Sequence, residues 1–306
     1  MISYLPKDPT QVLAPKGSLH NTANDYSIVM NEKASRHHWS GVGPLSLKLI
    51  LKGEAGYKIG NKKLTLDERR LLILNDNEKY TIDINSNIEV ETFIVFFDRA
   101  MVEEVMTSFF STSSMLLDSP DHKWNNYFMF ATNTVETSLE IKNMALSWKS
   151  ALNNQSTQVL REHLYFLLTK LVSLELGQRS KARSLDFSRK STRDEIARRL
   201  LDARDYLHSS LSQKVTLGEI SSNCALSKNH LLRTFKEYFG KTPFQYLTDI
   251  RIAKAKDLLI NNPDIPVTEV CSQVGFESLS SFSWSFSRRT GMAPSEHRWK
   301  KVIQEK

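Results

Sequence analysis

Residues 274–291, VGFESLSSFSWSFSRRTG, combine six serines with three phenylalanines, one tryptophan and two arginines. Serine hydroxyls can donate hydrogen bonds to phosphate oxygens, and arginines can neutralise phosphate charge. The glycines near both ends indicate one bounded helix, and the stretch is too polar to cross a membrane. Its chemistry is therefore that of binding a polyanion, and the surrounding elements must position it for that task.

Enzyme patterns that could compete with this binding chemistry are missing from the sequence. The chain has no phosphate-binding glycine loop, GxSxG elbow or HExxH helix. His37 and His38 are adjacent, not separated by one residue, and residues 75–84 contain no histidine. We therefore expect no catalytic residue, no metal site and no cofactor. Cys224 and Cys271 are the two cysteines, which favours a reducing intracellular setting.

The serine-rich stretch belongs to a pattern that occurs twice. A short helix, a tight turn and a longer capped helix are predicted at 217–240 and again, with one inserted residue near Glu277, at 267–291. Four pairs of residues carry the repeat: Leu231 with Phe282, Phe235 with Phe286, Gly240 with Gly291, and Pro243 with Pro294. Ser227 and Ser278 can cap the longer helices. Each copy is predicted to be a helix-turn-helix unit.

The longer helix of each unit has one apolar face and one face free for a partner. Leu231, Phe235 and Phe239 predict the buried face of the first. The candidate contact residues are Ser227, Lys228, Asn229, Leu232, Arg233 and Lys236 in the first unit and Ser278, Leu279, Ser280, Ser281, Trp284 and Arg288 in the second. An alternative for Trp284 is that it packs back onto its own domain. Residues 244–261 predict a connecting helix of about 27 Å, so the two units could lie near one DNA turn apart.

The first half of the chain has a different pattern. Residues 45–97 alternate apolar and polar positions, which predicts short antiparallel strands in a sandwich or barrel wall. Helical patterns follow at 101–110 and 158–176. The second helix has a leucine stripe with two interpretations, packing on the barrel or pairing with a second copy: Leu160, Leu164, Leu167, Leu168 and Leu171.

Charge divides the chain in the same way. From residue 189 onward there are 20 Lys and Arg against 13 Asp and Glu, whereas the preceding 188 residues hold 21 of each. We expect three segments: a domain of strands and helices at 1–176, a basic linker at 177–193 and a basic helical domain at 194–306 that is suited to binding DNA. The N-terminus has no apolar signal core and no apolar run reaches membrane-spanning length, so a cytoplasmic location is expected.

From Ile196 to Trp299 the chain closely resembles the AraC-type bacterial transcription regulators. The resemblance is carried by RIAKAKDLLI, VTEVCSQVGFESLSSFSWSF and RRTGMAPSEHR. It implies that the longer helix of each unit enters the major groove of DNA. By position, the residues that would contact bases are Asn229, Leu232, Arg233, Leu279, Ser280, Ser281 and Trp284. Trp284 stands where the family usually has arginine and Leu279 where glutamine is frequent, which implies weaker base recognition by the second helix.

The first half resembles the cupin-like barrel that many such regulators carry as a sensing and dimerising domain, which implies this role for residues 1–176. The expected fold class is therefore α+β, with an N-terminal cupin-like antiparallel barrel, following helices and a C-terminal all-α domain. The expected function is a sequence-specific DNA-binding regulator, not an enzyme. The resemblance also implies activation through RNA polymerase, a homodimer and a small-molecule effector in the first domain. Two alternatives stay open: a cupin-fold metal-dependent enzyme with a helical appendage, and a DNA-bound protein with an inert barrel.

Overall fold

The computed structural model describes residues 27–111, 128–153, 158–182, 185, 187 and 190–299. These residues form two compact units, divided between Ser180 and Lys181. The first unit contains strands and helices, and the described part of the second contains helices. The α+β class predicted from the sequence is confirmed.

The first unit is a nearly closed antiparallel barrel followed by helices. Its strand order is β4-β3-β6-β2-β5-β7, and β1 pairs with β6. β6 is central because β1 pairs along one of its edges, while β3 and then β2 pair along the other. The strands are β1 (Ile28–Gly43), β2 (Ser46–Lys52), β3 (Glu54–Ile59), β4 (Lys62–Asp67), β5 (Arg70–Leu74), β6 (Glu78–Phe96) and β7 (Thr134–Glu136).

Two features of this sheet differ from the sequence-based prediction. β1 was not predicted, because its mostly exposed or half-buried residues show no clear apolar alternation. It forms because its backbone pairs with β6 over almost its whole length. The alternation over residues 45–97 predicts short strands, yet β6 has 19 residues and continues through the polar Asn85–Asn87 stretch. Backbone pairing, which the side-chain pattern does not report, decides both cases.

Alternate residues of the strands bury two different clusters. Leu47, Leu49 and Phe93 pack with the helices of the first unit, which are α1 (Arg99–Phe110), α2 (Leu139–Asn153) and α3 (Gln158–Ala182). The opposite face of the strands, including Ile50, Tyr57 and Tyr80, packs together inside the barrel. Because the side-chain period of a strand is two, adjacent residues such as His37 and His38 point to opposite faces.

The leucine stripe of α3 packs within the first unit. Leu164, Leu167, Leu168 and Leu171 are each at most 2% exposed and belong to the cluster between sheet and helices. Leu160 lies outside the side chains that the structure describes. Of the two interpretations, packing on the barrel is the one that the structure supports, and these four leucines offer no surface to a second copy.

The helices of the second unit follow the predicted pattern closely. They are α4 (Lys190–Ser209), α5 (Leu217–Asn223), α6 (Lys228–Phe239), α7 (Pro243–Asn261), α8 (Val267–Gln273), α9 (Leu279–Thr290) and α10 (Pro294–His297). The predicted buried face of α6 is wrong at one residue. Phe239 is half-buried, whereas Tyr238 and Thr234 are buried.

The basic segment at 177–193 has more helix than its composition indicates. α3 continues to Ala182, and α4 begins at Lys190. Ala182 and Leu185, both 2% exposed, pack into the core of the second unit, and Phe187 packs against that core. These apolar residues are few among many cations, so a composition-based prediction overlooked their role as packing residues.

Candidate nucleic-acid interface

The first helix-turn-helix unit is formed by α5, a tight turn and α6. Ala225 in the turn has a φ of 52°, and the amide of Leu226 donates to the Ser221 carbonyl at 3.1 Å. The Ser221 hydroxyl donates to the Leu226 carbonyl at 2.7 Å. Ser227 then caps α6 by accepting from the amide of His230. The turn is therefore held by backbone and side-chain hydrogen bonds before the longer helix begins.

The second unit, formed by α8 and α9, repeats these contacts. Gly275 has a φ of 79°, and the amide of Phe276 donates to the Cys271 carbonyl at 3.1 Å. The Cys271 thiol lies 3.8 Å from the Phe276 carbonyl, where the first unit has a serine hydroxyl. Ser278 caps α9 by accepting from the amide of Ser281. The duplication predicted from the sequence is thus present in the local geometry.

The longer helices α6 and α9 each bury one face and expose the other. The buried residues are Leu231, Thr234, Phe235 and Tyr238 in α6 and Phe282, Ser285 and Phe286 in α9. Among the candidate contact residues Leu232 is half-buried. The other eleven are exposed: Ser227, Lys228, Asn229, Arg233, Lys236, Ser278, Leu279, Ser280, Ser281, Trp284 and Arg288. Each unit brings its own candidates together at the N-terminal end and outer face of its longer helix.

Trp284 is 62% exposed, so it does not pack back onto its domain. The guanidinium carbon of Arg288 lies 5.0 Å from the centroid of its ring, which is the geometry of a cation–π contact. The pair joins an apolar ring to a positive charge on the exposed face of α9. Such a surface can press on sugars and bases while the charge approaches a phosphate.

Arg289, in the last turn of α9, pairs with a carboxylate of its own domain. Its Nε donates to Oδ1 of Asp249 on α7 at 2.7 Å, and Nζ of Lys241 lies 2.6 Å from Oδ2. Burial acts to raise the pKa of Asp249, but the hydrogen bonds from Lys241 and Arg289 outweigh it and hold that pKa below its usual value. Asp249 therefore links the connecting helix to α9 and to the loop after α6.

Arg251, also on α7, holds the turn of the second unit against the loop before α5. Its Nε donates to the Leu211 carbonyl at 2.9 Å and its Nη2 to the Gln213 carbonyl at 2.6 Å. A Cβ at Gly275 would lie 2.6 Å from the Leu211 oxygen. The close approach of the turn at residue 275 to the backbone of Leu211 therefore requires glycine. Sequence reasoning missed Asp249 and Arg251 because charged residues on a helix are usually solvated, and their partners lie tens of residues away.

Across 27–111, 128–153, 158–182 and 190–299, no three His, Cys, Asp or Glu side chains converge as metal ligands would. The pKa of His37 is lowered mainly by burial and to a smaller extent by the charge of the neighbouring His38. Within those same ranges no helix combines the length and apolar character needed to span a membrane.

Comparison with known proteins places these features in a family. The family model described as "Helix-turn-helix domain", an AraC-type domain, matches residues 220–300. The chain is 25% identical over 284 residues to the uncharacterized HTH-type transcriptional regulator YdeC of Bacillus subtilis, covering 89% of this chain and 90% of YdeC. It is 33% identical over 108 residues to the HTH-type transcriptional activator RhaR of Salmonella schwarzengrund, covering 35% of this chain but only 37% of RhaR.

A solved structure is similar to about a third of this chain. It is the C-terminal domain of AraT, a response regulator from Geobacillus stearothermophilus, with 30% identity and a TM-score of 0.32. The similarity covers 33% of this chain and 83% of that domain. The duplicated units and the matched family model identify residues 220–300 as an AraC-type helix-turn-helix domain, and the chain is a DNA-binding transcription regulator.

Proposed function

We propose that α6 and α9 enter two successive major-groove segments of one DNA site. The observation that carries this proposal is the repeated local geometry of the two units, each with an exposed polar face on its longer helix. α7 connects the units and has 19 residues, which at 1.5 Å per residue is about 28 Å. This length approaches the roughly 34 Å between major-groove segments one turn apart.

In this proposal the first helix supplies most of the base recognition. Arg233 can donate two hydrogen bonds to O6 and N7 of guanine, and Asn229 can pair with adenine. Leu232 offers an apolar contact, while Lys228 and Lys236 approach phosphates. The second helix presents Leu279, Ser280, Ser281 and the Trp284–Arg288 pair, which favours shape and backbone contacts over a hydrogen-bond code. Ser227 and Ser278 position the helix N-termini near phosphates.

We also propose that the first unit senses a small molecule and dimerises the protein, with domains at 1–176 and 194–306. The contact boundary after Ser180 supports the first limit. Since the leucine stripe is buried, dimerisation needs another surface. Three apolar side chains of α2 and α3 are strongly exposed and are the candidates: Leu139, Leu146 and Phe166, at 80%, 45% and 47%.

Activation through RNA polymerase is the expected regulatory outcome, and RhaR, which is similar to 35% of this chain, is named as an activator. We infer that the protein acts on the chromosome in the bacterial cytoplasm. The alternative of a cupin-fold metal-dependent enzyme has no support, because the chain is a DNA-binding transcription regulator.

The test is selection of bound DNA from a random duplex library with the full chain. The expected result is a site with two preferred segments about 10 base pairs apart, the first more strongly specified. Fluorescence anisotropy on that site then compares Arg233→Ala with Arg198→Ala, a charge-matched control that pairs with Glu195 and Asp202 on α4. A single preferred segment, or equal losses in both variants, would contradict the proposal.

A further inference from the structure

Phe187 lies in the segment that leads into the DNA-binding half of the chain, and its ring contacts α6. The ring centroid of Phe187 is 5.8 Å from that of His230, and the two ring planes meet at 62°. His230 is the third residue of α6 and follows Asn229, a candidate for base contact. An edge-to-face contact of two rings therefore joins the segment before α4 to the first turn of α6.

The position of Phe187 is fixed by hydrogen bonds on both sides of its own backbone. Its amide donates to the Leu185 carbonyl at 2.9 Å, and its carbonyl accepts from Nη1 of Arg193 on α4 at 2.9 Å. Leu185 is 2% exposed and belongs to the core of the second unit, against which the half-buried ring of Phe187 also packs. The ring thus reaches α6 from a backbone that is held in place.

The contact leaves His230 with a polar atom that is poorly satisfied. Nε2 of His230 is buried and has no hydrogen-bond partner within the described part of the chain. Enclosing this nitrogen is unfavourable, because it gives up its hydrogen bonds to water and gains none from protein. A polar group kept in such a state needs a reason beyond packing, and functional positions commonly provide one.

The equivalent helix α9 stabilises its first turn in a different way. Ser281 of α9 stands where α6 has His230, three residues after the capping serine in each unit. The hydroxyl of Ser278 donates to the hydroxyl of Ser281 at 2.9 Å and accepts from the Ser281 amide at 3.2 Å. In α6 the His230 amide lies 3.4 Å from the hydroxyl of Ser227, and an imidazole takes the place of the second hydroxyl. The first turn of α9 is stabilised by its own side chains, whereas that of α6 receives a ring from another segment.

The first turn of α6 needs this support because it carries Asn229. The first four amides of a helix have no partner within the helix, so capping and packing must hold them. An asparagine side chain pairs with the N6 and N7 atoms of adenine through two hydrogen bonds, which require both distance and orientation to be correct. Such a constellation works only when its supporting residues hold it to within about 0.5 Å.

We propose that Phe187 is a positioning residue for DNA recognition: its ring holds His230, and through His230 the first turn of α6, so that Asn229 meets one base pair in a fixed geometry. The inference rests on the proposed function of α6 and names a contact that regulates it. Displacement of residues 185–187 uncovers His230 and loosens this turn. Base preference then falls more than the part of the affinity that comes from phosphate contacts.

The test compares variants of the full chain on the DNA site obtained by selection and on the same site changed at single base pairs. Asn229→Ala identifies the base pair at which preference depends on this side chain. Phe187→Ala should lower the preference at that same base pair by roughly 5-fold, which is part of the discrimination that a pair with adenine supplies. Phe187→Tyr, which keeps the ring, should restore the preference.

Phe239→Ala is the matched control, because Phe239 is also half-buried but lies at the other end of α6. It should lower the melting temperature and leave base preference unchanged. Amide hydrogen exchange in the absence of DNA gives a second measurement. Residues 228–234 should exchange faster in Phe187→Ala than in the wild type, and at the wild-type rate in Phe239→Ala. His230→Ala combined with Phe187→Ala should lose no more preference than either single variant, since each removes the same contact.

The proposal is overturned if Phe187→Ala, shown by circular dichroism to be folded, keeps the wild-type preference at the base pair that Asn229→Ala affects. Equal loss of that preference in Phe239→Ala overturns it too. An Asn229→Ala variant with unchanged preference also overturns it, because the positioned side chain then meets no base. If Arg233→Ala keeps the wild-type preference as well, α6 does not read bases and the proposed function falls with this inference. If Asn229→Ala and Arg233→Ala lose preference while Phe187→Ala does not, the positioning role alone falls.

Discussion

Asp249 and Arg289 connect the two halves of the DNA-binding domain: the carboxylate lies on the connecting helix α7, and the guanidinium on the last turn of α9. Their 2.7 Å contact, together with Lys241, uses a cation that would otherwise be free near the proposed DNA surface. The position of α9 thus depends on an ion pair with one residue on α7 and the other on α9.

Asp249→Asn removes both ion pairs while keeping the side-chain shape. We expect the free energy of unfolding to fall by about 1 kcal/mol at pH 7, since the pairs are partly exposed. Because the folded-state pKa of Asp249 is depressed, its contribution is present above the unfolded-state pKa of about 3.9 and is lost as pH falls through the lower folded-state value. Urea unfolding at several pH values measures this. Asp264→Asn, at an exposed position after α7, is the control and should change little.

Arg233 and Trp284 occupy equivalent positions in α6 and α9 but should behave differently. Arg233→Ala should cost about 1 to 3 kcal/mol of DNA binding and relax preference at one base pair. Trp284→Ala should weaken binding to many sequences with little change in preference, because an indole cannot form the bidentate pair. Binding-site selection with each variant provides the measurement.

Thermal melting of both variants is the control for that comparison. Both side chains are exposed, so neither substitution should change the melting temperature greatly. If the folded tryptophan variant lost preference at one defined base pair, the account of a weakly specific second helix would be wrong.

A fragment of residues 181–306 should bind duplex DNA by itself. Its affinity should fall with salt, with a log–log slope of about −0.9 for each phosphate contact. A fragment beginning at residue 189 lacks Ala182 and Leu185 of the core and should be less stable by on the order of 2 kcal/mol or more. Calorimetric melting of both fragments and anisotropy at several salt concentrations test this. Equal stability, or affinity independent of salt, would be the contrary result.

Gly275→Ala should destabilise the second unit far more than Gly291→Ala. Both glycines have positive φ, for which an L-residue costs about 1 to 2 kcal/mol. At Gly291 a Cβ would meet open space, whereas at Gly275 it would collide with the backbone of Leu211 and Ser212. We expect a further loss of roughly 1 to 3 kcal/mol from that collision. Urea unfolding measures the free energy of unfolding of both variants. Similar losses of stability would mean that the turn at residue 275 shifts to accommodate the Cβ at little cost.

Lys48 on β2 is buried, and burial lowers the pKa of its amine. Lys48→Met should stabilise the protein at pH 7 by on the order of a few kcal/mol. The folded-state pKa is about 7 and the unfolded-state value is about 10.4, so between them the unfolded chain binds more protons. Wild-type stability therefore rises with pH across this range, and the advantage of the variant shrinks as pH approaches 10. Denaturant unfolding from pH 7 to 10 measures this difference. A variant less stable than wild type at pH 7 would show that the amine is well satisfied where it lies.

The sequence by itself determined the architecture of the DNA-binding half. Its helices are defined by local rules: apolar spacing of three and four residues, serine and threonine caps, and glycines at helix ends, as at Ser227 and Gly240. Duplication strengthened the prediction, because a second copy repeats the same spacing. The exposed faces of α6 and α9 followed directly from the buried ones.

Tertiary structure decided what depends on partners distant in the chain. β1 exists through its pairing with β6, and the stripe beginning with Leu164 is buried because a sheet covers it. The alternating strand pattern does not indicate that Lys48 is buried, because the barrel alone encloses it. The sequence around Arg289 likewise does not indicate its ion pair with Asp249, which lies 40 residues earlier in the chain. Local propensity and periodicity carry no information about such contacts, since they are formed only when segments far apart in the sequence meet in the folded chain.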